Sequence, residues 1–451
     1  MNRKLQRSMA RAAAAKGGPT VVEKIKILAY MDSPTCATGF GTVSRNILEA
    51  LHKTGKYEIG VFGINYWGDP HEFPYRIWPA GTNQENDPYG RNKFYNFVAN
   101  YDFDILFVLQ DTFIIDFLPK VKAHLDNVRV KPYKIVTYYP IDGKPKPEWL
   151  ANVTVSDTIV AYSEFGKKQT LDVLEEAGEI FSGDISVIPH GANVKEFMPV
   201  DTVTRERFRH EYFGNNKDKF IITNVNRNQQ RKDIPRTIQA YIEFKKECPD
   251  AFLYLHMAGK DQGWDLEQVL RGLGLKPEQD YKLPMNFGPN QGYPRDILNL
   301  IYNASDCVVS TTLGEGMGLG WLEAMATKTP IIMPDNTAMS EFITEDLGFL
   351  ADSGTNPSLF TVLPNDNEIL RPLVDVDVLV KKLRYVYTDR VEAQRRAENA
   401  YNWINTTMEW QGPIAKRWVS LFDGVVLQLK TQIKDMEVSK QKPIALNAER
   451  F

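Results

Sequence analysis

The stretch Thr311-Thr312-Leu313-Gly314-Glu315-Gly316-Met317-Gly318-Leu319-Gly320-Trp321-Leu322-Glu323-Ala324-Met325-Ala326 lies between two short apolar runs, Cys307-Val308-Val309-Ser310 and Pro330-Ile331-Ile332-Met333. That order reads as strand, glycine-rich loop, helix, strand, the repeating unit of an α/β protein with a parallel sheet. It puts a helix N-terminus at the C-terminal edge of the sheet, where free backbone N–H groups and the helix dipole favour an anion. Two carboxylates flank this positive spot: Glu315 in the loop, and Glu323 about one and a half turns into the expected helix. A carboxylate is repelled by a phosphate unless it holds something else, and sugar or ribose hydroxyls are its natural partners. The segment therefore points to a site for a nucleotide sugar.

Upstream, the run Phe220-Ile221-Ile222-Thr223-Asn224-Val225 reads as a strand and leads into Asn226-Arg227-Asn228-Gln229-Gln230-Arg231-Lys232-Asp233. Arg227, Arg231 and Lys232 at a strand end suit a diphosphate, the arginines as forks and the lysine as a point charge. Further strands are expected at 25–31, 57–64, 105–109, 135–139, 158–161 and 252–257. Helical spacing lies between several of them, at 117–125, 165–177 and 234–246. After the first strand, Gly39-Phe40-Gly41 opens a helix with apolar positions Val43, Ile47, Leu48 and Leu51. Alternation of this kind predicts parallel sheets covered on both faces. The polar, charged stretch from Asp201 to Lys219 marks a boundary between two such units. Amphipathic helices are expected at 376–387 and 391–403, and a last one carries Ile414, Trp418, Leu421, Phe422, Val425 and Leu429.

At 451 residues the chain exceeds what one hydrophobic core organises, so two or three domains are expected. With 43% hydrophobic and 25% charged residues it has the profile of a water-soluble globular protein, and a net charge of −3 excludes a polycation that coats nucleic acid. Cys36, Cys248 and Cys307 are scattered and form no metal-binding spacing, which suits free thiols in a reducing cytoplasm. There is no apolar run of membrane-spanning length and no signal-peptide core near the start, so a cytoplasmic location is expected. Residues 1–20 form a basic arm with Arg3, Lys4, Arg7, Arg11 and Lys16. Its plain reading is a flexible tail; its sharper one is a weak contact of residues 1–18 with nucleic acid or an anionic surface, and a third is a mitochondrial presequence, since the arm is Arg-rich and lacks acids.

Glu315 and Glu323, eight positions apart, resemble the paired glutamates of retaining glycosyltransferases of the GT-B fold, family four. Gly316-Met317-Gly318-Leu319 is similar to that family's Gly-Phe-Gly-Leu, with Met317 for the usual aromatic, and Leu322-Glu323-Ala324-Met325-Ala326 matches closely. Arg227 and Lys232 keep the family's Arg and Lys spacing, with Asn226 in place of a Gly, and Ile185-Ser186-Val187-Ile188-Pro189-His190-Gly191 resembles the segment that closes the first domain. Between the basic arm over 1–20 and a tail over 436–451, the resemblance implies Rossmann-like domains over 21–200 for the acceptor and 201–405 for the donor, and a helix over 406–435 returning to the first domain. It implies transfer of a sugar, with retention, from a UDP- or GDP-sugar and without cofactor or metal. Arg227 and Lys232, with Arg231 and the backbone N–H groups at Gly318 and Leu319, would take the diphosphate. Glu315 would take the sugar hydroxyls and Glu323 the ribose, with Gly316, Met317, Gly39 and Gly41 completing the donor site.

The family's usual histidine on the acceptor side is absent from Val136-Thr137-Tyr138-Tyr139-Pro140-Ile141-Asp142-Gly143. Asp142, with Tyr139 beside it, is the nearest polar candidate to position an acceptor hydroxyl or take its proton, and equally suits a turn cap. Trp67 and His71 lie on a loop expected to face the acceptor. The acceptor is a glycan, a small molecule or a protein, with a modified DNA base as a further candidate. A phosphorylase or epimerase on the same fold, or an inactive scaffold that binds a sugar nucleotide, are the competing readings.

Overall fold

The computed structural model describes residues 24–81, 87–179, 181, 183–288, 292–364 and 366–441. The expected arm over 1–20 and most of the expected tail, from 442 on, lie outside the described residues.

Apolar runs become strands buried on both faces, as continuous Val/Ile/Leu segments in a parallel sheet must be. Seven of them, β1 (Ile25–Asp32), β2 (Tyr57–Ile64), β3 (Arg76–Pro79), β4 (Ile105–Leu109), β5 (Lys134–Tyr139), β6 (Thr158–Ala161) and β7 (Ile185–Val187), form a first sheet in the order β3-β2-β1-β4-β5-β6-β7. Every pairing in it is parallel; β1 runs beside β2 with Ile25 opposite Tyr57, and beside β4 with Ile27 opposite Ile105. A second parallel sheet contains β8 (Phe220–Val225), β9 (Ala251–His256), β10 (Tyr281–Lys282), β11 (Cys307–Val309), β12 (Ile331–Asp335) and β13 (Phe349–Asp352), in the order β10-β9-β8-β11-β12-β13. Both orders reverse direction once, between β1 and β4 and between β8 and β11. Such switch points leave a crevice beyond the carboxyl ends of the strands, where open α/β sheets bind ligands.

The helix Gly39–Lys53 starts where Thr38 caps it, its hydroxyl accepting from the Gly41 amide at 2.9 Å, and it buries the expected Val43, Ile47, Leu48 and Leu51. Ser163 caps the helix Glu164–Glu176 through the Gly166 amide at 3.0 Å. At the other end of the chain, the helix Ala415–Gln441 packs on the first sheet rather than the second. Trp418 is fully buried, its ring 4.7 Å from that of Tyr138 and 5.6 Å from that of Phe107, and Phe422 meets Tyr57 and Phe107. Backbone bonds from Ala192 to Met408 (2.9 Å) and from Trp410 to Ala192 (3.1 Å) stitch the return.

Three features differ from the sequence reading. The charged stretch after Asp201 is in large part a helix, Thr202–Phe213. Most of its residues are exposed or half-buried; Phe208, Tyr212 and Phe213 meet the core, and Arg209 is buried, donating to the carbonyls of Lys217, Lys219 and Ala304 and pairing with Asp306 at 3.3 Å. An antiparallel hairpin, β14 (Phe360–Val362) and β15 (Leu370–Pro372), was not anticipated. The helix after the glycine loop begins only at Gly320 and ends at Ala326, so Glu323 stands in its first turn rather than further along.

Candidate active site

Between the two switch points lies a cleft of about 1680 Å³. Pockets for one small ligand occupy roughly 300–1,000 Å³, so this cleft has room for two substrates.

On its second-domain side the chain leaves β8 through Asn226 and Arg227 and makes a tight turn, Gln230–Lys232. Asp233, at φ +43°, then redirects it into the helix Ile234–Glu247, and Lys232 is left pointing inward and buried. Lys232 donates a short hydrogen bond to Glu315, and the Arg231 guanidinium lies 3.5 Å from the other Glu315 oxygen. Arg231 also donates to the Gly314 carbonyl and pairs with Asp142 at 3.1 Å. Burial alone would raise the Glu315 carboxyl, but Lys232 and Arg231 outweigh it and hold Glu315 below its usual range. Arg227 stands more open and pairs through two nitrogens with Asp261, at 2.7 and 3.3 Å.

The glycine loop owes its course to close approaches. A Cβ on Gly314 would come within 2.0 Å of the Asp142 carbonyl oxygen, so only glycine lets this loop touch the first domain. Gly318 has φ +81°, a conformation glycine adopts freely, and this turn delivers the chain to the helix at Gly320. Met317 is buried, and its carbonyl accepts from the Trp321 indole at 2.7 Å. Gly316, Gly318 and Leu319 line the cleft with it, and Gly39 faces Leu319 from the first domain. Gly41 does not line the cleft; it presses on Cys36 and the Ser33 carbonyl. Glu323, which is not among the cleft-lining residues, accepts a hydrogen bond from the Tyr302 hydroxyl at 2.8 Å, and burial pushes its carboxyl up to about 7.

On the first-domain side, Asp142 is drawn to the second domain. Burial would raise its carboxyl, yet Arg231 and Arg371 prevail and lower it. Arg371 is almost wholly enclosed, 2% exposed, and donates to the Asp142 carbonyl, to its carboxylate at 3.0 Å and to Asp366 at 2.8 Å. Tyr139, singled out with Asp142, faces away: its hydroxyl bonds Thr170 at 2.9 Å inside the domain, as the alternation of side chains along β5 requires. Trp67 lines the cleft and is 56% exposed. His71 packs between Tyr66 and Phe73 and does not line it.

Sequence reasoning missed Asp32, Gln110, Asp111 and Arg371. Asp32 ends β1 and accepts from Thr38 at 2.6 Å, Asn65 at 3.2 Å and Gln110 at 3.4 Å. Asp111 follows β4, and burial, with Asp142 nearby, pushes its carboxyl up to about 7. The signal for Asp32 and Asp111 was an acid at the carboxyl end of an apolar strand or two positions beyond it. The pocket's lining histidine, His190, packs against Tyr138, Tyr162 and Trp410, and burial pushes it down to about 3, so it is neutral. Trp264 packs on the second-domain core, away from the cleft. Among the described residues no helix is long and apolar enough to cross a membrane.

Residues 205–403 match the family model described as glycosyl transferases group 1. Among curated proteins the chain is 22% identical, over 231 residues, to alpha-monoglucosyldiacylglycerol synthase of Acholeplasma laidlawii, an alignment covering 48% of this chain and 56% of that protein. The chain spans about half the length, or less, of the curated relatives it matches first. Among solved structures, sucrose-phosphate synthase from Thermosynechococcus elongatus superposes with a TM-score of 0.68 at 18% identity, covering 90% of this chain and 100% of that one. Anabaena HepE in complex with UDP and glucose superposes with a TM-score of 0.62 at 16% identity, covering 89% and 100%. Two doubly wound sheets facing one cleft, matched along nearly their whole length by these neighbours, give the chain the GT-B fold, and within it residues 205–403 are similar to the glycosyl transferases group 1 family.

Proposed function

We propose that the chain is a retaining glycosyltransferase that moves a sugar from a nucleotide-diphosphate sugar to an acceptor hydroxyl, without metal, in the cytoplasm. The observation that carries this reading is the convergence of Arg231, Lys232 and Glu315 at the second switch point, directly across from Asp142. Here Arg231, Lys232 and Arg371 are balanced by Asp142, Glu315 and Asp366. A diphosphate would compete with Glu315 for Lys232, and the freed carboxylate would then accept hydroxyl hydrogens of the donor sugar. Arg227 reaches the phosphates by leaving Asp261, and the amides at Gly318 and Leu319 add donors. Stabilising the leaving diphosphate is the main electrostatic task, since charge grows there as the anomeric bond breaks.

The acceptor oxygen then attacks the same face from which the diphosphate departs, and its proton passes to the departing phosphate oxygen. No protein nucleophile is needed. Residues 21–200 form the acceptor-side domain, 201–405 the donor side, and 406–435 the return. Glu323 would hold the ribose only by leaving Tyr302 and turning towards the cleft, which it does not line in this arrangement. A UDP-sugar is the first donor to test, because HepE, similar in fold, was solved with UDP. The experiment is nucleotide release from UDP-, GDP-, ADP- and dTDP-sugars, with and without a chelator, for the wild type, Glu315→Ala and Arg227→Ala. Release of one nucleotide, insensitive to chelator and lost in both variants, is expected. Failure of every donor to bind or turn over overturns the reading in favour of a scaffold.

A further inference from the structure

The two walls of the cleft differ in charge: the second-domain wall mixes cations with Asp261, Glu315 and Asp366, whereas the first-domain wall is acidic only. The cations that line it, Arg227, Arg231, Lys232 and Arg371, all come from the second domain. The first-domain wall contributes Asp32, Asp69, Asp111 and Asp142, and among its described lining residues no lysine or arginine. Its lining histidine, His190, is neutral. Cations next in sequence to this wall are already engaged: Arg91 with Asp116 at 3.0 Å, Lys144 with Glu176 at 2.6 Å, and Lys146 with Glu368 at 3.7 Å. Arg45, on the helix Gly39–Lys53, does not line the cleft.

The acids of this wall differ in how they are occupied. Asp142 is neutralised by Arg231 and Arg371. Asp32 accepts from four neutral donors, Thr38, Asn65, Gln110 and the Cys36 thiol, which favour its carboxylate form against the burial that pushes it up. The Asp111 carboxylate has no hydrogen-bond partner among the described residues, and it stands within electrostatic reach of Arg231 and Asp142, beside the place where the sugar would transfer. Among these acids are exposed aromatic faces: Trp67, and Phe113 paired with Trp149 at a ring distance of 5.4 Å. Acceptor-only oxygens alternating with aromatic faces suit a sugar ring, whose hydroxyls donate and whose C–H faces stack. Above about pH 7, where the raised Asp111 carboxyl is ionised, a phosphate on that sugar would meet the carboxylates of Asp32 and Asp111 and, among the described residues, no uncommitted cation.

We propose that the acceptor is an uncharged polyhydroxyl sugar or glycan end, bound by Asp111, Asp32 and the aromatic faces, and that this wall rejects phosphorylated sugars and other polyanions. The proposal rests on the transferase reading, whose donor half is checked separately by calorimetric titration of UDP. Loss of UDP binding would count against the donor reading, whereas the acceptor wall is probed by sugars with or without UDP present.

The test titrates matched pairs into the full chain at about pH 8, where Asp111 is ionised, using glucose and glucose 6-phosphate, fructose and fructose 6-phosphate, inositol and inositol 1-phosphate, with maltose and cellobiose as longer neutral sugars, read by saturation-transfer NMR. Neutral members should bind at least about tenfold tighter than their phosphorylated partners, the scale of one poorly screened like-charge contact. Asp111→Asn, nearly isosteric, should narrow that gap to within a factor of about three. Its fold is checked by circular dichroism. Equal or reversed preference, no detectable binding of any neutral sugar, or a gap unchanged in a folded Asp111→Asn variant would overturn the proposal.

Discussion

Replacing Arg371 with methionine tests the link between the two walls of the cleft. The substitution keeps the length and apolar stem of a side chain that is 2% exposed, but removes its bonds to Asp142 and Asp366. Removing one partner of a buried ion pair costs about 3–5 kcal/mol, because the remaining charge is stranded. Two facts place this case at the lower end. Asp142 keeps Arg231 at 3.1 Å, and the Asp142 and Asp366 side chains are 28% and 15% exposed, so water reaches both. A cost of about 3 kcal/mol is therefore expected. At about 2–4 °C per kcal/mol for domains of 150–250 residues, the melting midpoint should fall by roughly 6–12 °C. Differential scanning calorimetry measures it, and adding Asp142→Asn to Arg371→Met completes a cycle. Part of the loss should be shared, giving a coupling of about 1 kcal/mol or more. A midpoint within 1 °C of wild type, about a sixth of the smallest shift above, or strictly additive losses, would refute the idea that this pair joins the domains.

Three other outcomes follow from the same geometry. Lys232→Ala leaves Glu315 with Arg231 alone at 3.5 Å and removes one cation from the diphosphate position, so UDP affinity by calorimetry should fall on the order of ten- to a hundredfold, the size of one charge-assisted bond; unchanged affinity would discard the diphosphate role. Glu323, ordinarily near 4.5, is pushed up to about 7 in the folded chain by burial, so between these values the fold keeps a proton that the unfolded chain has lost. Stability should therefore decline as pH rises through that window and level off above it, and thermal melts at pH 5 and 7.5 should differ less in Glu323→Gln than in wild type. Trp418→Ala empties a fully buried site among Phe107, Tyr138 and Phe422 and should destabilise the first domain by about 3–5 kcal/mol in urea unfolding, although residue 418 follows the second domain in sequence.

The alternation of apolar runs made the two parallel sheets legible, because strands buried on both faces cannot hide their composition. Glu315, Arg231 and Lys232 were legible for a related reason: each stands just beyond a strand end, and their mutual contacts follow from the sheet order. Arg371 was not, since its partner Asp142 is 229 positions away and nothing local to Leu370-Arg371-Pro372 reveals which surface the hairpin meets. Tyr139 illustrates a different blindness. With both faces of β5 buried, the sequence lacks the polar alternation that would tell which side chains point along the strand end and which into the domain. The helix Thr202–Phe213 escaped because its apolar contact is confined to Phe208, Tyr212 and Phe213 at one end, and the rest of its anchoring runs through Arg209, a residue that reads as surface.

The return of Ala415–Gln441 to the first sheet means that this domain is discontinuous in the chain. As the polypeptide leaves the ribosome, strands β1 to β7 emerge first, yet the surface that Trp418 and Phe422 cover stays bare until the last helix is made. The intervening domain, contiguous in sequence, has all its strands available earlier and can complete its core while the first one waits. Synthesis order and folding order are thereby uncoupled, and a ribosome paused once the helix Arg390–Thr407 has cleared its exit tunnel, with Ala415–Gln441 still inside, would hold a finished second domain beside an apolar, chaperone-accessible first domain.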